Sequence, residues 1–293
     1  MGVRSFMKKV LKKLNKKDIP VVIDEWCTCR TIIDREASIG RLGDGEIRNC
    51  FGGGCVAQIG SDKLAKRMRE VLHTKDDKFL IGIPRVWDRQ YYPYTPHQSA
   101  FWKKYIETDF ITQLLRKDIQ YYSTWITRTD SAIDIACKDY FDLFKKMWEG
   151  KDLIYVCGGK GVDVEKYELF DSANTRHDIE GLPYRDCFEI YDEILEKIKR
   201  KADSLDKPIV YLALGPTASV LALDLHKAGI QALDLGHLSM FYINTRKKNT
   251  RYRVIRQDEL DALMKKAGVE TLDYKKWKHG MAGDSVYEKN QPC

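Results

Sequence analysis

At 293 residues the chain has room for one large or two modest domains with a sizeable core, and its 43% hydrophobic and 32% charged content is an ordinary globular balance. No run approaches the roughly 18 apolar residues of a membrane-spanning helix and no apolar leader opens the chain, so it reads as cytoplasmic, neither secreted nor integral. The formal charge of +7 is concentrated in residues 1–18, where Arg4, Lys8, Lys9, Lys12, Lys13, Lys16 and Lys17 face Asp18; about +1 remains for the rest, too little for a nucleic-acid surface.

Within residues 1–18, Phe6, Val10, Leu11 and Leu14 recur at helical spacing between the lysines. This reads as a basic amphipathic arm able to lie peripherally on an anionic membrane, or equally as a solvated tail. Phe6 stands where a myristoylation pattern wants Ser or Thr. The eight cysteines read as reduced thiols; Cys27 and Cys29 are spaced C-x-C, and Cys50 and Cys55 complete no zinc motif.

Val21-Val22-Ile23 leads towards a helix and then to Ser38-Ile39-Gly40-Arg41-Leu42-Gly43-Asp44-Gly45-Glu46. Read as an extended segment, this stretch points Asp44 and Glu46 to the same face, where both reach one hard cation such as Mg²⁺ or Mn²⁺. Gly43 and Gly45 let an anionic ligand approach the backbone, and Arg41 is a planar phosphate donor. Asp44-Gly45 is also a common hairpin turn, although the residues after Glu46 do not alternate like a returning strand.

Further along, Leu64 to Leu72 is helical by period and Phe79 to Ile83, ended by Pro84, is a buried strand. Arg85 to Tyr94 crowds arginines with aromatics, suited to sugar stacking or simply to a packed loop. Helices are expected over 100–117 and 131–148, with Thr124 to Arg128 between them as a strand ending in a cation.

The second half is more regular. The strand Leu153 to Cys157 opens into Gly158-Gly159-Lys160-Gly161, a phosphate-cradle pattern without the Walker spacing or the G-x-G-x-x-G fingerprint. Tyr184 to Lys201 reads as an amphipathic helix. Pro208 to Leu214 is a strand ending at Gly215-Pro216-Thr217, where a helix start offers its N-terminus and a hydroxyl to an anion. That helix stops at Gly229, and Ile230 to Leu235 returns as a strand followed by Gly236 and His237. The succession predicts an α/β fold, a Rossmann-like, mostly parallel sheet flanked by helices, with ligands at the carboxyl ends of its strands. Asp234 can orient the imidazole of His237, though a lone His after a strand is more often structural.

Taken together, Gly40 to Glu46, Gly158 to Gly161, Leu214 to Ala218 and Leu233-Asp234-Leu235-Gly236-His237 resemble the GT-D fold glycosyltransferases, long known as a bacterial domain of unknown function. The resemblance spans about residues 20–245. It leaves 1–18 as the basic arm, 19–245 as the glycosyltransferase domain, and 246–293 as a basic extension with a short helix from Asp258 to Ala267. It implies a metal-dependent transferase, a hexosyltransferase, that moves a sugar from a nucleotide-diphosphate donor, usually a UDP-sugar. The acceptor would be a bacterial surface glycan, lipid-linked oligosaccharide or glycoprotein. Asp44 and Glu46 match the family's Asp-x-Glu metal pair for Mn²⁺ or Mg²⁺; Leu42 departs from a frequent aromatic. On this resemblance Asp234, His237 and Glu46 are catalytic candidates. Arg41, Gly43, Gly45, Arg128, Gly158, Gly159, Lys160, Gly215, Pro216 and Thr217 would bind the nucleotide sugar. A Rossmann-type oxidoreductase and a non-catalytic nucleotide- or membrane-binding protein are the competing readings; the missing dinucleotide fingerprint argues against the first.

Overall fold

Side chains along the central strands alternate between two buried faces, and this sets the architecture. In Asp152–Cys157 and Pro208–Ala213, Leu153, Tyr155, Ile209 and Tyr211 enter one core while Ile154, Val156, Val210 and Leu212 enter the other. Strands apolar on both faces need cover on both, as in a parallel sheet between helical layers.

The computed structural model describes residues 21–85, 114–128, 138–159 and 168–246. Its strands are β1 (Val22–Ile23), β2 (Ser38–Arg41), β3 (Phe79–Ile83), β4 (Tyr121–Ser123), β5 (Asp152–Cys157), β6 (Thr175–Ile179), β7 (Pro208–Ala213) and β8 (Gln231–Asp234). They form one 8-stranded sheet in the order β1-β4-β3-β2-β8-β7-β5-β6, every pairing parallel. The helices are α1 (Glu25–Arg35), α2 (Asp44–Asn49), α3 (Asp62–Leu72), α4 (Lys138–Met147), α5 (Tyr191–Ala202), α6 (Pro216–Lys227) and α7 (Leu238–Arg246). Residues of α3, α5 and α6 cover one face of the sheet; residues of α1, α4 and α7 cover the other. Asp24 caps α1 by accepting from the Cys27 amide at 2.9 Å, and Ser61 caps α3 through the Leu64 amide at 3.2 Å. Among the described residues no helix is long and apolar enough to cross a membrane.

The expected α/β fold is present, with local corrections. Asp44-Gly45 opens α2 rather than a hairpin or an extended run. Thr124–Thr127 is a single 3₁₀ turn after β4, with Arg128 as its C-cap, because its hydroxyls and indole pack inward instead of pairing. The helix expected from Tyr184 begins at Tyr191, preceded by a 3₁₀ turn over Cys187–Ile190. Residues 114–117 are not helical. The arm 1–18, residues 86–113, Lys160, Gly161 and the extension from 247 onward, including Asp258 to Ala267, lie outside the described residues.

The sheet has one internal boundary. β1 to β4 occupy one half and β5 to β8 the other, and the halves meet where β2 lies against β8. That is the switch point where crevices open at the carboxyl ends of parallel strands. Side chains stitch much of this seam: the Ala232 amide donates to Ser38 Oγ at 3.0 Å and Gln231 Nε2 to the Ala37 carbonyl at 3.1 Å.

Candidate active site

A cleft of about 470 Å³ opens over the carboxyl end of the β2–β8 seam. Arg41, the last residue of β2, lies at its base. Its Nε donates to the Asp234 carbonyl, its NH2 approaches Asp234 Oδ1 at 3.3 Å, and its NH1 donates to the Thr124 carbonyl and Thr127 Oγ1, both at 2.8 Å. Asp234 Oδ2 accepts from Ser219 Oγ at 2.7 Å and from the Arg41 amide at 3.2 Å. Four of the five guanidinium N–H donors are thus turned to protein, and the Arg41 and Asp234 side chains are only 10% and 7% exposed. Arg41 is therefore a tie between strand ends rather than an open phosphate fork. The Asp234 carboxylate faces Arg41 and Ser219, so the Asp234–His237 pairing expected from spacing is not what this carboxylate does. Gly236 sits at φ +49°, and a Cβ there would meet Arg41 NH2 at 2.7 Å, so only glycine leaves the tie undisturbed.

Asp44 and Glu46 are the first and third residues of α2, with Gly43 as its N-cap. The strand argument for a shared face therefore does not hold, since i and i+2 diverge on a helix. Both still line the cleft because it meets the helix end-on, where first-turn side chains flare around the axis. Glu46 Oε2 accepts from the Gly43 amide at 2.9 Å, the Glu half of a capping box. Burial of this carboxyl, followed by the Asp234 charge and in smaller measure Asp44, pushes Glu46 up to about 7. The glycines here serve packing as well as access. A Cβ on Gly45 would meet the Cys55 side chain at 3.1 Å, and one on Gly43 would meet Glu46 Oε2 at 3.0 Å.

A wall that the sequence did not announce comes from Cys55, Val56 and Ala57. Gln58, buried beneath it, accepts from Thr217 Oγ1 at 3.2 Å and from the Phe188 amide at 3.1 Å. Asp186 holds the same loop from outside: its amide donates to the Ala57 carbonyl at 3.0 Å and its Oδ1 accepts from the Ile59 amide at 2.7 Å. The base of the loop is pinched shut, since a Cβ on Gly60 would collide with the Gly52 carbonyl.

Opposite stand Thr124, Trp125, Thr127, Arg128, Gly236 and His237, with Ala213, Gly215 and Pro216 completing the lining. The Arg128 guanidinium lies over the Phe241 ring, 5.4 Å from its centre. His237 is exposed at the mouth. Three expected ligand contacts are not brought into the lining. Thr217 is buried with its hydroxyl on Gln58. Gly158 and Gly159 back onto the 182–184 segment: the Gly159 amide donates to the Leu182 carbonyl at 3.0 Å, and a Cβ on Gly158 would lie 2.6 Å from the Pro183 carbonyl. Those glycines answer a close approach of backbone.

Comparison with known proteins bears directly on this geometry. A family model described as glycosyltransferase GT-D fold matches residues 39–259. Glycosyltransferase GlyD of Streptococcus pneumoniae serotype 4 is 29% identical over 244 residues, which are 80% of this chain and 29% of that protein. The probable glycosyl transferase Gly of Streptococcus gordonii is 30% identical over 220 residues, 72% of this chain and 31% of that protein. The chain thus spans under a third of the length of these curated relatives. A solved structure described as domain of unknown function 1792 with a distinct glycosyltransferase fold superposes with a TM-score of 0.71 at 26% identity, covering 94% of this chain and 97% of that one. A second, described as a new glycosyltransferase from Streptococcus sanguinis, gives a TM-score of 0.68 at 26% identity over 78% and 86% of the two chains. With its eight parallel strands and its match over most of its length, the chain belongs to the GT-D-fold glycosyltransferase family.

Proposed function

We propose that the chain transfers a sugar, a hexose, from a nucleotide-diphosphate donor of the UDP-sugar class to a bacterial glycan or glycoprotein acceptor, with a divalent cation. The observation that carries this reading is the meeting of Asp44 and Glu46 with Arg128 and His237 around one cleft of a GT-D-family chain.

The residues fit a hard cation. Asp44 and Glu46 supply oxygen donors only; burial raises Glu46 most, and the Asp234 charge adds a repulsion that a bound cation would relieve. No group of three or more His, Cys, Asp or Glu suited to a metal occurs among the described residues. Two carboxylates leave most of the shell to water and donor phosphates, the habit of Mg²⁺ and Mn²⁺. Such an ion, when bound, supplies Lewis-acid neutralisation of charge on the departing nucleoside diphosphate.

The other roles fall to the chain itself. The N-terminus of α6, opened by Gly215 and Pro216, brings the positive end of a helix to the cleft and favours phosphate there. Arg128 adds a fixed cation on the facing wall, and His237 at the mouth is placed to orient the donor or to accept the acceptor's proton. Arg41 and Asp234, at the base of the cleft, hold these walls in register. The basic residues of 1–18 support a peripheral site at the inner membrane face, where a lipid-linked acceptor would be met.

Donor hydrolysis and transfer measured across a panel of nucleotide sugars, with Mn²⁺ and with EDTA, test the reading. Turnover of a UDP-sugar that needs the cation is expected. Undiminished turnover in EDTA removes the metal, and binding of NAD without any nucleotide sugar removes the transferase.

A further inference from the structure

The turn that carries Gly236 and His237 into the cleft is suspended from a buried tyrosine that lines no part of the cleft. Tyr211, in the middle of β7, is fully buried, its ring 4.9 Å from that of Tyr155. Its hydroxyl donates to the Gly236 carbonyl at 3.0 Å and accepts from the Ser239 amide at 3.2 Å. The amides of Leu235 and Gly236 both donate to the Leu212 carbonyl, at 3.1 and 3.0 Å. One strand, β7, therefore grips this turn by its entry and its exit.

The chemistry of helix starts explains why a hydroxyl is needed there. His237 occupies the N-cap position of α7, since its carbonyl accepts from the Phe241 amide at 3.0 Å. An N-cap side chain ordinarily accepts from the second or third helical amide, here Ser239 being the second. The Ser239 amide is capped from another strand, by Tyr211, rather than by the N-cap residue itself. Resting on the reading that His237 serves sugar transfer, we infer that Tyr211 is a positioning residue: its hydroxyl caps α7 in place of His237 and fixes the turn that aims the imidazole at the cleft. Burial, reinforced by Tyr155, pushes the Tyr211 phenol up, so the hydroxyl keeps the proton it donates to Gly236.

The test is a double-mutant cycle on the full chain with a UDP-sugar and Mn²⁺. Tyr211→Phe is expected to lower kcat by about tenfold, with donor KM changed less than about twofold. In a His237→Ala background the same change should cost nothing further, because there is no imidazole left to aim. Tyr155→Phe, which removes a hydroxyl that meets Ser239 Oγ and the Cys157 thiol but not the Gly236–His237 turn, should leave kcat unchanged. Equal losses in both backgrounds, or no loss in the first, overturn the inference. If His237→Ala is itself fully active, the functional reading of His237 fails. The positioning claim is then judged by the His237 ring NMR signals, which must shift in Tyr211→Phe and not in Tyr155→Phe. Should Tyr211→Phe not fold, Gly236→Ala pushes the same turn from the Arg41 side, and absence of the same non-additive signature overturns the inference.

Discussion

Arg41 and Asp234 clasp each other across the β2–β8 seam, guanidinium Nε on the Asp234 carbonyl and NH2 3.3 Å from its carboxylate. The same guanidinium reaches Thr124 and Thr127, so three strand ends share one side chain. Breaking a buried pair by removing one partner leaves the other charge uncompensated. Arg41→Ala is therefore expected to cost about 3–5 kcal/mol in denaturant unfolding. Arg41→Lys, which keeps the charge but lacks the planar fork, should recover less than half of that. A wild-type midpoint for Arg41→Ala would show that the clasp holds nothing.

Glu46→Gln separates fold from chemistry. Glutamine still accepts the Gly43 amide in a capping box, so unfolding should shift by under about 1 kcal/mol. Cation-dependent turnover should fall by about a hundredfold or more, since even losing the partner of a metal ligand costs 10- to 100-fold. Asp44→Asn should do the same. A cation titration with retained affinity in the double variant would remove these residues from the site.

The raised Glu46 carboxyl is expected to make both stability and the proposed cation binding depend on pH. Between its ordinary value near 4.5 and about 7 the native side chain holds a proton that the unfolded chain has released. Its contribution to stability is therefore largest below about 4.5 and falls as pH rises to about 7, after which it is flat. A cation must displace that proton, so Mn²⁺ affinity should rise about tenfold per pH unit up to about 7 and then level. Calorimetry in buffers of differing ionisation heat should show one proton released at pH 6 and none at pH 8. Glu46→Gln should flatten the curve.

The loop under Cys55 to Ala57 depends on one amide side chain. Gln58→Ala strands the Thr217 hydroxyl and the Phe188 amide in a buried place, at about 2–3 kcal/mol. Donor KM should rise with it, as the cleft wall loses its footing, while Val56→Ala should leave unfolding unchanged. Equal stability for wild type and Gln58→Ala would mean that water replaces the amide.

How far the sequence discloses each element depends on how local its cause is. Phe79 to Ile83, Leu153 to Cys157 and Pro208 to Ala213 are continuous apolar runs because both faces are covered, and they were legible as strands. Thr175–Ile179 was not, since β6 is an edge strand with mostly polar, half-exposed residues and pairs only with β5. Asp44, Glu46, Gly215 and His237 were legible as candidates because glycines and strand ends flag them, and all four line the cleft. Cys55 to Ala57 and Thr127 carry no such flag; tertiary bonds from Asp186 and Arg41 bring them in. The same blindness hides why Thr217 and Gly158 are not in the cleft lining: their partners Gln58 and Pro183 are distant in sequence.

The pinched loop has a consequence for how such a cleft changes its preferences. Its backbone is held at the neck by Gly52 and Gly60, and from below and outside by Gln58 and Asp186. Val56 and Ile59, by contrast, are 79% and 68% exposed, and the load falls on the Ile59 backbone rather than on either side chain. Side-chain identity at these two positions is uncoupled from where the loop sits. Selection on the shape of the wall can therefore act on Val56, which lines the cleft, at almost no cost in folding, with the Arg41–Asp234 clasp left as it was.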